Sequence, residues 1–333
     1  MVGAKPKVAL LVGGTSPERE VSKMSGEGIY KALLSLQYQT VLVDPAYGAN
    51  QPPQTEMFFS SQDYDEISNR NCVEAINSEL FDDVEVVFSA LHGKWAEDGT
   101  MQSLLELRGL KYTGSKVLAS ALAMDKALSK TIFNEAGVHT AKWLVVTNQI
   151  KNDEKLCERI LSEIGLPCVI KSNDQGSNFG LTIVEEENKI EEAVQLALAF
   201  SDKALIEEYI RGREITVAIL EKEALPVLEI IPKDGFYDYQ HKYTPGMSDY
   251  IVPADIPDDV FKALQGQALI AFNSLKCESY GRVDFRLNEN NESFCLEVNT
   301  LPGMTSTSLV PKMAKAVGIS FEELIERIIK QAL

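Results

Sequence analysis

Apolar and polar positions follow two different rhythms along this chain. In the first third, apolar runs at Val8 to Val12, Thr40 to Val43 and Val84 to Leu91 alternate with helical-period stretches at Val21 to Leu34 and Met101 to Leu107. Continuous apolar strands interleaved with helices predict α/β organisation around a parallel sheet. Further on, a helix is predicted from about Leu118 to Ala136, closed by Gly137 as a left-handed cap allows, and another from Glu154 to Ile164. Strands are predicted at Trp143 to Val146, Cys168 to Lys171 and Leu181 to Val184. A helix at Ile190 to Phe200 follows, then consecutive strands at Ala204 to Ile210, Glu214 to Leu220 and Leu225 to Ile231. The C-terminal part is therefore sheet-rich and reads as α+β. No repeat or low-complexity tract occurs, and the segments group as three units, 1–115, 116–207 and 208–333. The polar, proline-bearing stretch between Pro45 and Asn71 reads as a surface insertion without chemistry.

The second rhythm is strict alternation. Gly281 to Leu287 and Phe294 to Thr300 carry polar side chains at every second position. Strand side chains alternate faces, so Arg282 and Asp284 share one face of the first strand, and Glu297 and Asn299 one face of the second. Val283, Phe285, Leu296 and Val298 take the other. With Asn288 to Asn291 as the loop of an antiparallel hairpin, Arg282 falls opposite Glu297, and Asp284 diagonal to it. Two carboxylates and an amide offer hard oxygen ligands of the kind Mg²⁺ takes together with substrate phosphates. The same pattern also describes an ordinary half-exposed strand pair, so the rest of the chain decides between them.

Composition narrows the options. The chain has 333 residues and a formal charge of -17, which opposes binding to a nucleic-acid backbone. Any bound polyanion must be met by a few placed cations and a metal. No apolar run reaches bilayer length, and the N-terminus lacks the apolar core of a signal peptide, so a cytoplasmic protein with no membrane partner is expected. Five scattered cysteines and three histidines give neither a disulfide framework nor a zinc site.

Candidate chemistry then clusters at loops. Gly13 to Glu20 follows the first strand and opens a helix, with Ser16 as N-cap and Pro17 at the first helical position. Glu18 and Glu20 suit the helix dipole, and Glu20 alternatively faces an ammonium group. Lys171 precedes Ser172 to Gly180, a loop of small and polar residues suited to phosphate, although it is no Walker A sequence. Lys126 is a surface lysine unless something places it beside Lys171. The connector after Ala204 to Ile210 offers backbone groups to an adenine edge, and Glu214 offers a carboxylate to ribose hydroxyls. His92 ends a strand, where sites form. The tyrosine-rich stretch Phe236 to Gly246 reads as a substrate-covering loop.

Taken together, these residues resemble the D-alanine:D-alanine ligases of the ATP-grasp superfamily over nearly the whole chain. The resemblance rests on Gly13-Gly14-Thr15-Ser16-Pro17-Glu18-Arg19-Glu20, Leu91-His92-Gly93 with Glu97-Asp98-Gly99-Thr100, Met124-Asp125-Lys126, and Gly281-Arg282-Val283-Asp284. It continues in Glu297-Val298-Asn299-Thr300-Leu301-Pro302-Gly303-Met304-Thr305. It implies a three-domain ATP-grasp architecture with an N-terminal Rossmann-like domain, and ligation of two D-alanines through an acyl phosphate for peptidoglycan synthesis. By the resemblance, Asp284, Glu297 and Asn299 hold two Mg²⁺ ions, with Mn²⁺ as a substitute, and Lys126, Lys171 and Lys242 neutralise ATP phosphates. Glu207, Glu208, Tyr209, Ile210 and Glu214 hold adenine and ribose. Arg282 and the Gly303 N–H stabilise the tetrahedral oxyanion. Glu20 binds the first ammonium, linked to Ser177 and Tyr243, with His92 also at substrate. Ser308 and Leu309 grip the second carboxylate. A homodimer is the family expectation. Lys94-Trp95-Ala96, Ser172 to Gln175, Asn178 and Thr307 depart from the usual pattern, and all lie on the phosphate lid or the second-substrate side.

Overall fold

The computed structural model describes residues 5–149, 155–233, 246–305 and 308–333. Three sheets organise it. The first comprises β1 (Val8–Leu11), β2 (Thr40–Val43) and β3 (Val86–Ser89) in the order β2-β1-β3, all parallel. Every residue of β1 and β3 is buried, which is why these strands read as unbroken apolar runs. Helices α1 (Arg19–Ser35), α2 (Thr55–Phe58), α3 (Asn69–Asn77) and α4 (Thr100–Arg108) accompany this sheet. The expected inert insertion is corrected here: Pro45, Ala46, Tyr47 and Phe58 are buried, and Asp63 takes an ion pair from Arg19. Polar composition hid the few apolar anchors that fasten this stretch.

The predicted helix from Leu118 to Ala136 is two helices, α5 (Val117–Met124) and α6 (Lys126–Glu135). Asp125 breaks it, adopting an extended backbone while its side chain accepts from the Leu128 N–H at 3.0 Å as the N-cap of α6. Strands β4 (Trp143–Thr147), β5 (Cys168–Ser172), β6 (Thr182–Val184) and β7 (Lys203–Glu208) form an antiparallel sheet in the order β4-β7-β5-β6. Helices α7 (Leu156–Glu163) and α8 (Ile190–Phe200) cover one face of it through Leu156, Ile160, Ile190, Val194 and Ala197.

The third sheet runs β11 (Ser248–Ile251), β10 (Leu228–Pro232), β8 (Arg213–Leu220), β12 (Tyr280–Leu287) and β13 (Ser293–Asn299), with β9 (Glu223–Ala224) on β8. Helix α9 (Asp258–Ser274) buries Leu264, Ala268, Ala271 and Phe272 against it. The closing helices α10 (Leu309–Ala316) and α11 (Phe321–Ala332) join the core of the first sheet instead, where Leu324, Ile325, Ile328 and Ile329 are fully buried with Val8 and Leu10. Four such side chains contribute about 1.5–3 kcal/mol each, and the same core takes in Leu220 and Ile230 of the third sheet. No helix among the described residues is long and apolar enough to cross a membrane.

The hairpin forms, but its register is two residues from the expected one. Arg282 lies opposite Asn299 and Asp284 opposite Glu297. One residue of the shift comes from the loop, where Asn288 N–H donates to Glu292 O at 3.0 Å, so that Glu292 belongs to the turn. The other comes from a bulge between the Asp284 and Phe285 pairs, which leaves Leu296 without a cross-strand partner. A one-residue slip alone turns the polar set of β13 away from the site, and the bulge turns it back.

Candidate active site

A cleft opens between the β4–β7 sheet and the third sheet. It is lined by Lys126, Lys171, Ser177, Glu207, Glu208, Tyr209, Ile210, Glu214, Arg282, Asp284, Leu296 and Glu297. Strand alternation presents Arg282, Asp284 and Arg286 into it from β12. Leu296, expected on the core face, also lines it, because the bulge leaves Leu296 and Glu297 both partly exposed while Cys295 and Val298 stay buried. It gives the cleft an apolar surface among charges.

At one end of the cleft, Arg286 donates to Ile210 O at 3.1 Å, to Gly212 O at 2.6 Å and to Glu214 at 3.1 Å. One guanidinium thus fixes the whole connector after β7. Arg286 falls on the same alternation as Arg282 and Asp284, one step further along β12.

At the other end Lys126 and Lys171 come together. Asn173 joins them: its backbone O accepts from the Lys126 N–H at 3.2 Å, and its side chain accepts from the Ala127 N–H at 2.9 Å. Lys126 is buried and its ammonium donates to Gln175 O at 2.8 Å, with Glu297 at 3.2 Å. Glu207 is buried between Lys130 and Lys171, each ammonium 2.5 Å from one carboxylate oxygen. Burial pushes the Glu207 carboxyl up, but the two ammonium groups outweigh it and hold it at about 2. Burial pulls Lys171 down, yet Glu207 and Glu297 leave it above its ordinary value. Nothing in the sequence marks Lys130, because a helix-borne lysine carries no local signal of burial.

Asp284 accepts two bonds from Arg282, both at 2.8 Å, one from Thr216 at 2.6 Å and one from the Asn299 amide at 3.0 Å. Asp284 and Glu297 are direct cross-strand partners, with Asn299 two residues along. This donor set is all oxygen, with no thiolate or imidazole and only two carboxylates. It fits a hard divalent cation that takes its remaining ligands from phosphate.

A smaller pocket adjoins the cleft, lined by Glu18, His92, Glu97, Gly303 and Ser308 among others. Gly176, Ser177, Arg282, Glu297 and Leu309 line both spaces. Here the glutamate assignment is corrected. Glu20 points outward, exposed, and pairs with Lys23 at 3.0 Å, because it lies two residues along α1 from the inward-facing position. Glu18 is the buried one, and its carboxylate accepts from the Ser177 hydroxyl. It sits between two glycines: a Cβ added at Gly93 or at Gly176 would come within 2.6 Å of Glu18 Oε2. Below it, Arg19 reaches Asp44 at 2.7 Å and Asp63 at 2.9 Å, and Asp44 accepts from the Gly14 N–H at 3.1 Å, which fastens the turn.

His92 is held on both sides. Met304 N–H donates to Ser25 Oγ at 3.2 Å, so the Ser25 proton is available to His92 Nε2 at 3.2 Å. His92 Nδ1 lies 3.5 Å from Glu97 Oε1. Burial, followed by the Glu18 anion, raises the Glu97 carboxyl above its ordinary value, against the pull of His92. Ser308 is the N-cap position of α10, and its hydroxyl lies 2.7 Å from Thr305 Oγ1 and accepts from the Thr305 N–H at 3.0 Å. The loops that depart from the family pattern meet each other, with Lys94 3.4 Å from Asp174. Lys242 and Tyr243, like Phe236 to Tyr239 and Thr307, lie outside the described residues.

Two antiparallel sheets closing on a cation-lined cleft, behind a parallel-sheet unit, define the ATP-grasp architecture. The model of the D-ala D-ala ligase N-terminus matches residues 7–115, and that of the D-ala D-ala ligase C-terminus residues 132–330. The chain belongs to the D-alanine–D-alanine ligase family. It is 42% identical to the D-alanine–D-alanine ligase of Desulforamulus reducens, over 98% of each chain. The enzyme of that name from Moorella thermoacetica is also 42% identical, over 98% of this chain and 99% of the relative. Among solved structures, the Bacillus anthracis D-alanine–D-alanine ligase superposes with a TM-score of 0.80 at 31% identity, covering 98% of this chain and 97% of that one. The D-Ala:D-Ser ligase VanG of Enterococcus faecalis gives a TM-score of 0.78 at 28% identity, covering 99% and 100%.

Proposed function

We propose that this protein joins two D-alanines in an ATP-dependent reaction, supplying a peptidoglycan precursor and releasing ADP and phosphate. The observation that carries the reading is the shared wall: Gly176, Ser177, Arg282, Glu297 and Leu309 line both the cleft and the Glu18 pocket. A phosphoryl donor in one and an amino acid in the other would meet there. A B. anthracis ligase of this fold has been solved with ATP, at 28% identity and a TM-score of 0.77.

Glu18, in place of Glu20, takes the first ammonium, with Ser177 orienting its carboxylate. The first D-alanine's carboxylate oxygen attacks the γ-phosphorus, the bond to ADP breaks, and an acyl phosphate forms. Lys126 and Lys171, with Lys242 by family similarity, hold the phosphates and offset the charge that develops. Adenine and ribose lie towards Glu208 to Ile210, Glu214 and Leu296, whereas the carboxylate of Glu207, expected with them, is taken up by Lys130 and Lys171. The second amine then attacks the acyl carbon, and phosphate leaves with its bridging oxygen. Arg282 and the Gly303 N–H face the oxyanion of that step, while Ser308 and the start of α10 hold the second carboxylate. Asp284, Glu297 and Asn299 are the residues that would hold Mg²⁺, which when bound screens the phosphate oxygens and fixes their orientation. The cytoplasm and a homodimer are the setting expected from the family.

The test is ADP release across a panel of D- and L-amino acids and D-hydroxy acids, with products identified by mass. D-alanyl-D-alanine as the main product supports the reading. Turnover only with D-serine or D-lactate as the second substrate replaces it with a related ligase, and ATP binding without any product replaces it with an inactive relative.

A further inference from the structure

Lys130 lies beneath the phosphate end of the cleft and does not line it. Its side chain is 0% exposed. The ammonium has three neighbours: Glu207 at 2.5 Å, the Thr140 hydroxyl at 2.5 Å and the face of Trp143 at 5.8 Å. Thr140 in turn donates to Cys295 O at 2.7 Å, and Cys295 N–H donates to His139 O at 2.8 Å. Cys295 belongs to β13, the strand that carries Glu297, whereas Glu207 belongs to β7. One ammonium therefore ties together the two sheets that form the cleft.

Charge pairing gives the contact a second meaning. Among the described residues at this end of the cleft, Lys126 is matched by Glu297, Arg282 by Asp284, and Lys171 by Glu207. If those pairs were the whole arrangement, the floor would offer no net positive charge, and Glu207 would hold Lys171 away from any phosphate. Lys130 changes that. It occupies the second oxygen of Glu207. Burial pulls the Lys130 ammonium below its ordinary value and Glu207 pulls it back up, and with both lysines charged, two positive charges and one negative leave the Lys130–Glu207–Lys171 cluster at +1 beneath the site. In a low-dielectric interior that unit charge acts at close range on an anion above it.

Resting on the ATP-dependent reading, we infer that Lys130 is a positioning residue for nucleotide: it neutralises Glu207 from below and so presents Lys171, with a net positive charge, to the phosphates. A purely structural role for Lys130 would make ATP affinity follow stability, so that a variant with a lower thermal midpoint would bind no tighter. A positioning role ties affinity to the charge of the cluster instead, since removing Glu207 along with Lys130 returns the cluster to +1.

The experiment is calorimetric binding of ATP in Mg²⁺ buffer, without D-alanine, to the wild type, Lys130→Gln and Lys130→Gln/Glu207→Gln. Thermal midpoints are recorded without nucleotide. Lys130→Gln keeps hydrogen-bonding groups for Glu207 and Thr140 but loses the charge, and its Kd is expected to rise tenfold or more. The double substitution is expected to recover at least fivefold of that loss, even where its thermal midpoint falls below that of the single variant. An unchanged Kd in Lys130→Gln, or a double variant that binds no tighter than the single, overturns the inference. Should Lys130→Gln not fold, the double variant decides alone: a Kd within tenfold of wild type supports the inference and a weaker one overturns it. Failure of the wild type itself to bind ATP refutes the nucleotide reading, a different result from wild-type binding that the variants leave unmoved.

Discussion

Two carboxylates reach the centre of this molecule by different routes. Asp284 arrives on a strand whose side chains alternate, and its neighbours Arg282, Thr216 and Asn299 are supplied by the same sheet. Glu18 arrives on a turn, where no period operates, and its place depends on Gly93 and Gly176 having no side chain and on Arg19 and Asp44 pinning the loop beneath it. The first carboxylate is positioned by a repeating geometry and the second by a set of particular contacts. Sites of the second kind are more fragile to small substitutions and harder to find in a sequence.

The largest effect is expected at the hairpin. Asp284→Ala or Glu297→Ala should lower turnover on the order of 100- to 1000-fold or more, measured as ADP release with D-alanine, because both act on charge that develops during transfer. The circular-dichroism spectrum should be unchanged. A variant with normal turnover would remove the hairpin from the chemistry.

The turn is tested next by a matched pair. Glu18→Gln should reduce kcat/KM for D-alanine by about 2–4 kcal/mol, as expected when one partner of a desolvated charge pair is lost. Glu20→Gln, which changes an exposed carboxylate paired with Lys23, should stay within about twofold. The reverse order would restore the sequence-based assignment. Gly176→Ala sharpens the comparison further, since its Cβ would come within 2.6 Å of Glu18 Oε2, and its cost should fall on the KM for D-alanine. A comparable methyl on the hairpin's exposed loop should cost nothing measurable.

A smaller effect is expected from pH. The folded-state value of Glu207 is about 2, below its ordinary 4.5. Its stabilising contribution is therefore complete above about 4.5 and is lost as pH falls through the folded value near 2. The gap in thermal midpoint between wild type and Glu207→Gln should narrow across that interval, and a gap that widens with acid would contradict the Lys130–Glu207–Lys171 arrangement. The smallest effect is expected at Lys94→Ala, which removes a partly exposed contact to Asp174 and should cost under about 1 kcal/mol in stability.

The comparison also explains what could be read from sequence. Alternation places Arg282, Asp284, Glu297 and Asn299 on one side of a hairpin, and Arg286 falls on the same face one step further along. It misplaced Leu296 and the cross-strand partners, since a bulge and a turn-length difference each move the register by one residue without changing composition. In the turn, Glu18 and Glu20 have the same local surroundings in sequence. What separates them is the distant pair of glycines, each contributed by a different loop, and contacts of that separation leave no local pattern. Lys130 is the extreme case: its importance lies in what is stacked above it, and nothing on its own helix marks it. The polar stretch from Pro45 to Asn71 misled for a related reason, because Asp63 and Tyr47 act on Arg19 from a segment whose composition looks like a loop.

The most direct measurement of the central claim follows oxygen. With D-alanine carrying ¹⁸O in its carboxylate, attack on the γ-phosphorus followed by amine displacement carries one ¹⁸O from each first-substrate carboxylate into inorganic phosphate. One labelled oxygen per phosphate, formed in step with D-alanyl-D-alanine, is the expected result. Dipeptide formation with phosphate free of label would contradict the account, because the carboxylate held beside Glu18 and the phosphoryl group held by Lys126 and Lys171 would then never have been joined.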